Sequence, residues 1–229
     1  MSKLSIPLTN AERNTGWLYW AFQMFFLPII LRYGNQFLSE PLSDVKLNFL
    51  LFGINFICVT VIFRSYLITA LKNFLKRPFH ILVYALFGFL FYWILKFWVN
   101  MGVFVVKPDF INQNDATITK FYLENFILIS ISTVLLAPVV EELFYRGLFF
   151  GALHKKGRVL AYIVSAAVFS SIHIVGYVNI YDPLSLMLSF VQYLPAGLAL
   201  AWSYERADNI FAPILIHATI NLIATTATR

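Results

Sequence analysis

Seven stretches of this chain are apolar for long enough to cross, or nearly cross, a lipid bilayer, and nothing else in the sequence constrains its fold as much. A crossing helix needs about 20 mostly apolar residues. The stretches run roughly Trp17–Leu31, Leu47–Phe63, Ile81–Val105, Phe126–Phe150, Val159–Val175, Leu184–Tyr204 and Phe211–Thr226. The first is short, and the fourth is long enough to break or to emerge from the bilayer, which leaves room for an eighth short helix. The expected fold is therefore all-α: a polytopic transmembrane helical bundle of about seven to eight membrane helices. No internal repeat and no long linker divides it, so residues 1–229 read as a single transmembrane domain.

Composition excludes the soluble alternative. The chain is 60% hydrophobic and only 12% charged, where a soluble globular domain carries about 25% charged residues. Too few polar side chains remain to cover a water-facing surface. The single cysteine, Cys58, sits inside an apolar run and reads as a small hydrophobe, so neither an intrachain disulfide nor a cysteine metal site is available. The net charge of +6 does not call for nucleic acid; basic loops facing anionic lipid account for it. With seven crossings, Lys3, Arg13, Arg64, Lys72, Lys76, Arg77, Lys155, Lys156, Arg158 and Arg206 fall on one side. Arg32, Lys46, Lys107, Lys120 and Arg229 fall on the other. Ten against five places the N-terminus in the cytoplasm.

Most carboxylates lie where water is expected to reach them: Glu12, Glu40, Asp44, Asp109, Asp115, Asp182, Glu205 and Asp208. Glu141 and Glu142 do not, because apolar residues flank them on both sides. A carboxylate at the centre of a crossing helix costs roughly 2.5–3.5 kcal/mol on insertion scales, and such residues mark function by default. Arg146 lies four residues after Glu142, on the same helical face and in the favourable order. Glu141 is rotated about 100° away and stays available. Pro138 is placed to kink the same helix.

Two histidines are also set in apolar helices. Phe169 and His173 are four apart, as are His217 and Asn221, so each pair shares a face. Together the groups offer a base, imidazoles for metal or proton transfer, and amide donors, which are the parts needed to activate water and hold an oxyanion. His80 and His154 read as interfacial and without chemistry. No Gly-x-Ser-x-Gly turn is present, and the acids buried mid-helix are glutamates, which argues against serine and aspartyl chemistries.

Glu141-Glu142-x-x-x-Arg146, Phe169-x-x-x-His173 and His217-x-x-x-Asn221, in that order on successive hydrophobic segments, resemble the three motifs of the CAAX protease and bacteriocin-processing family of intramembrane proteases. The resemblance covers about residues 125–226, which would form the catalytic core. It implies peptide-bond hydrolysis in or at the edge of the membrane. By that analogy Glu141, aided by His173, is the base for water; His217 and Asn221 hold the tetrahedral intermediate; Glu142 and Arg146 orient the site. If a metal takes part, Glu141, His173 and His217 with a water make a plausible zinc set, although no His-Glu-x-x-His is present; a metal-free glutamate mechanism fits the same residues. The implied partners are a peptide or membrane-protein substrate and the lipid bilayer, most simply in a bacterial cell membrane. The implied substrates are prenylated C-terminal peptides, or bacteriocin and signalling-peptide precursors, including self-immunity. Two other classes compete: a non-catalytic regulator that binds a membrane partner, and a proton-coupled transporter. The second is disfavoured because the buried polar residues are confined to the C-terminal half.

Overall fold

A computed structural model describes residues 4–226; Lys3 and Arg229, which entered the charge count, lie outside them. Among the described residues there are ten helices and no strand. They are α1 (Asn10–Phe25), α2 (Leu27–Gln36), α3 (Asp44–Ile62), α4 (Arg64–Lys76), α5 (Pro78–Val106), α6 (Gln113–Glu124), α7 (Phe126–His154), α8 (Arg158–Val175), α9 (Pro183–Ala207) and α10 (Phe211–Thr226).

Five of them, α3, α5, α7, α8 and α9, are long and apolar enough to cross a membrane. Their outward residues are those of a lipid-facing surface: Ile57, Val61, Phe97, Trp98 and Ile163 are all more than half exposed. The chain is an integral membrane protein. The expected count of seven spans is reduced to five by the length criterion, for two local reasons. The stretch Trp17–Leu31 is not one helix but is split at Phe26. Pro28 has no N–H to continue the ladder and disrupts the turn before it. Phe211–Thr226 does form a helix, but of 16 residues. Two helices, α4 and α6, were not foreseen; they join the ends of long helices and carry too many polar residues to register as spans.

Polar contacts sort the helix ends into two groups. At one end Arg77 pairs with Asp208 at 3.2 Å, Ser5 bonds the same carboxylate, and Asn209 Nδ2 donates to the Ala70 carbonyl at 2.8 Å. Glu12 also lies here. Expected in water, it is instead buried, bonded by Thr9 and accepting from the Tyr66 N–H at 2.8 Å. Thr9 and Glu12 cap α1 reciprocally, so two orphan N–H groups at its start are satisfied. At the opposite end Lys107 reaches Ser185 at 3.1 Å, and Tyr177 donates to Thr117 at 2.9 Å.

The long helices meet with little intervening side chain. Association in lipid rests on close packing and interhelical hydrogen bonds, so small residues gather at contacts. A Cβ on Gly197 would lie 2.8 Å from the Cα of Ala166, so α8 and α9 touch backbone to backbone there. Ser165 Oγ donates across to the Tyr145 carbonyl at 3.0 Å. Helix α7 occupies the middle of this arrangement. Leu143, Phe144, Leu148 and Phe150 are fully or almost fully buried, together with Arg146 and Glu142.

Candidate active site

Glu141 lies 15 residues from the first residue of α7 and 13 from the last, or about 20 Å from either end at 1.5 Å per residue. The helix is not regular there. Residues Ile131–Leu136 and Leu143–Phe150 are π-helical, and the six-residue α-helical piece between them carries both glutamates. π-helical turns are rare and concentrate at functional sites. Pro138 explains part of the irregularity. The Ala137 N–H bonds the Ser132 carbonyl five residues back. The next bond in that register would run from residue 138 to the Thr133 carbonyl, and proline has no N–H to make it. Asn221 Nδ2 donates to that carbonyl instead, at 2.7 Å. The carbonyl that Pro138 cannot serve thus anchors one of the candidate residues.

Glu142 is wholly buried, and two partners meet on its Oε1. Arg146 Nη1 donates to its Oε1 at 3.0 Å, the i,i+4 pair expected from spacing. His217 Nδ1 lies 2.8 Å from the same oxygen, so its ring is oriented by Glu142 rather than by Glu141. Arg146 is fully buried as well; its Nη2 donates to the Gly197 carbonyl at 3.0 Å, and its guanidinium stacks 4.7 Å from the Phe169 ring centre. Glu142 Oε2, Arg146 Nε and Ser170 Oγ are buried with no protein partner. Removing either member of this buried pair would strand the other's charge.

Glu141 points elsewhere. Its Oε2 is buried, has no hydrogen-bond partner, and lies 3.9 Å from His173 Nε2. The opposite ring nitrogen, Nδ1, is 2.7 Å from the Phe169 carbonyl. A carbonyl only accepts, so Nδ1 carries the proton, and in the neutral ring Nε2 presents a lone pair toward Glu141. Phe169 is the hub of the site: its ring centre is 4.7 Å from that of His173 and 5.7 Å from that of His217. All six residues named from the sequence therefore lie in one connected neighbourhood of α7, α8 and α10. They divide into a Glu141–His173 pair and a Glu142–Arg146–His217 group, with Asn221 one turn beyond His217.

A zinc set of Glu141, His173 and His217 is a different arrangement from this one. Among the described residues no group of three or more His, Cys, Asp or Glu side chains is placed to hold a metal ion. His217 is committed to Glu142, and Glu141 with His173 supplies two donors where a zinc site takes at least three from protein. The donors present do not fit the ion.

Two features escaped the sequence reading. Tyr193 of α9 stacks on His173 with ring centres 4.2 Å apart and planes at 24°; one Tyr among twelve gives no local signal. Glu205, expected in water, has a side chain only 2% exposed. It accepts from His154 at 2.9 Å, from Arg158 at 2.8 Å and from Tyr162 at 2.7 Å. His154, expected at the interface, is buried beside it.

Residues 123–223 match the model of a family described as type II CAAX prenyl endopeptidase Rce1-like. All six candidate residues fall inside that stretch. The UPF0177 protein YbdI of Lactococcus lactis is 30% identical over 123 residues, covering 52% of this chain and 60% of that protein. The "Uncharacterized protein YyaK" of Bacillus subtilis is 27% identical over 202 residues, 81% of this chain and 61% of its own length. The "Putative membrane peptidase YdiL" of the same organism is 30% identical over 96 residues, 42% of this chain and 34% of its own. The chain thus matches about three fifths of the length of the first two and about a third of the last. No solved structure matches it.

Proposed function

We propose, on the match of residues 123–223 to a family described as type II CAAX prenyl endopeptidase Rce1-like, that this chain is an intramembrane endopeptidase in which Glu141 activates a water held against His173. The observation that carries the reading is the buried, unpartnered Glu141 Oε2 facing His173 Nε2 across 3.9 Å. Two acceptors at that separation cannot bond each other, but one water can donate a hydrogen bond to each. That water is polarised from both sides and sits in a largely dry site, which raises the strength of both interactions.

The reaction then needs only groups of this chain. A water proton passes to the Glu141 carboxylate as the water oxygen bonds the scissile carbonyl carbon, and the carbonyl electron pair moves onto oxygen. The resulting oxyanion is met by Asn221, whose amide has a second N–H beside the one given to Thr133. When its ring is protonated, His217 donates through Nε2 while Nδ1 is held by Glu142. Collapse of the intermediate breaks the C–N bond, and Glu141 returns the proton to the leaving amine. Glu142 is the poorer base of the two: Arg146 and His217 already occupy its Oε1, and it acts by fixing His217.

The substrate we propose is a peptide whose end is held in the bilayer by a prenyl or other apolar anchor. The bacterial relatives support a bacterial membrane, with processing of a bacteriocin or signalling peptide as a biological setting. The concentration of Arg and Lys at the Arg77, Lys155 and Arg158 end supports a cytoplasmic location for that end and for the N-terminus. The test is cleavage of a farnesylated C-terminal peptide, and of an unprenylated apolar peptide, by purified protein in liposomes. Release of product by the native chain and none by Glu141→Gln is the expected result. Equal release by both removes Glu141 from the reaction.

A further inference from the structure

Resting on the protease reading, we propose that Tyr193 is a positioning residue that clamps the imidazole of His173 and ties its alignment to the seating of α6 over the site. His173 stands in the last turn of α8, two residues before its end at Val175. A side chain in a terminal turn has few neighbours on its own helix to fix it, since helix ends fray. Here the ring is held on two faces. Phe169 lies one turn back at 4.7 Å and also supplies the carbonyl for Nδ1, while Tyr193 covers the other side in a near-parallel stack at 4.2 Å. That stack fixes the plane in which Nε2 points at Glu141.

Tyr193 is itself hydrogen-bonded from outside its helix by the start of α6. Its hydroxyl donates to Asp115 Oδ1 at 2.7 Å and accepts from Asn114 Nδ2 at 3.0 Å. Asn112 caps the start of α6, accepting from the backbone N–H groups of Asn114 and Asp115. Its Nδ2 donates to Gln192 Oε1, next to Tyr193, at 2.9 Å. Gln192 in turn donates to Asn100 of α5. The first turn of α6 is therefore bolted to α9 at the residue that lies on His173. A second tie, Tyr177 to Thr117, joins α6 to the segment just after α8. Beneath these ties Asn114, Tyr177, Leu186 and Ser189 close around the edge of His173 in a crevice too small to hold a water. A peptide reaching Glu141 past the first turn of α6 must loosen that turn, and the same contacts that admit it adjust the imidazole. Lifting α6 and misaligning His173 are one event; reseating α6 restores the pair.

Two variants separate the parts of the clamp, and two readouts separate this inference from the protease reading beneath it. Tyr193→Phe keeps the stack and loses the latch; Tyr193→Leu loses both. With the farnesylated peptide, Tyr193→Leu should lower kcat about a hundredfold, the scale of a small misplacement of a reacting group. Tyr193→Phe and Asp115→Ala should each lower it by about tenfold or less, and the double variant should be no worse than either, since they break one contact. A merely structural role would instead leave kcat per folded molecule unchanged. The second readout needs no substrate: the rate at which diethyl pyrocarbonate modifies His173, followed by mass spectrometry with His80 as internal reference. Tyr193→Leu should speed modification of His173 and leave that of His80 alone. Native kcat in Tyr193→Leu while Glu141→Gln is inactive would overturn the clamp and leave the protease standing. Should the native chain release no product, the protease reading fails, and the labelling rate decides the clamp: a native rate at His173 in Tyr193→Leu overturns it.

Discussion

Glu141 and Glu205 both lie against histidines in the same bundle, and their surroundings are opposite in kind. Both oxygens of Glu205 are occupied, by His154 on one side and by Arg158 and Tyr162 on the other, at 2.7–3.0 Å. The half-exposed Arg158 opens that network to the basic end of the molecule. Glu141 has a histidine at 3.9 Å, an oxygen with no partner, and no cation of its own. Glu142, next to it in sequence, takes the arginine. A fully satisfied buried carboxylate holds helices in place; an under-satisfied one is held ready for something that arrives. Composition is nearly the same at the two sites, and the difference lies in how many donors are left over.

The largest effects come from forcing the two sites apart. Glu141→Gln is expected to lower kcat at least about a thousandfold, within the range for loss of a general base, with the unfolding midpoint in mixed micelles little changed. Glu205→Gln should do the reverse. It leaves Arg158 and His154 without their anion and lowers the midpoint, while kcat per folded molecule stays within about threefold of native. A Glu205→Gln protein that folds fully but does not cleave would erase the distinction.

Next comes Arg146→Met. Removing one partner of a buried pair costs about 3–5 kcal/mol because the other charge is stranded. Arg146 is the more exposed to this cost, since it also bonds Gly197 and stacks on Phe169. The variant should be strongly destabilised in denaturant titrations, and the double change Glu142→Gln with Arg146→Met should recover part of the loss. Additive losses would show that the two side chains do not act as a unit. Chelation sharpens the comparison from another direction. Excess EDTA followed by gel filtration should leave cleavage unchanged, because Glu141 and His173 alone do not make up a metal site. Activity that is lost and then restored by zinc would replace the water-and-glutamate account with a metal one.

What the sequence disclosed, and what it hid, follows from how far apart the cooperating residues are. The Glu142–Arg146 pair is visible because four residues make one turn, and the apolar runs are visible because hydrocarbon permits little else. The pairing of His217 with Glu142 spans 75 positions, and no local pattern specifies it. The resemblance already sets Glu141 beside His173, and only the tertiary arrangement joins His217 to Glu142. Glu12 and Glu205 looked like surface acids because they stand near charged loops. Both are buried through partners on other helices, Tyr66 in one case and His154 and Tyr162 in the other. Helices α4 and α6 were missed because a search for spans weighs apolar length, and neither has it. α6 supplies the hydrogen bonds to Tyr193, so the blind spot fell on the element to which the clamp is assigned.

A small effect, expected from one substitution in α7, is the most discriminating about its backbone. Pro138 leaves the Thr133 carbonyl without an intrahelical donor, and Asn221 takes it up at 2.7 Å. Pro138→Ala restores an N–H at the position from which the π-helical register would reach that carbonyl. Asn221 must then share its acceptor, a loss of about 0.5–1.5 kcal/mol in fixing the amide. If the second N–H of Asn221 meets the oxyanion, kcat should fall roughly two- to tenfold with KM unchanged. Stability should move the other way, since alanine suits a helix interior better than proline. Activity and stability changing in opposite senses would show that the proline is kept for the carbonyl it frees. If both fell together, Pro138 would be serving the packing of α7 alone, and Asn221 would be anchored for reasons unconnected with the reaction.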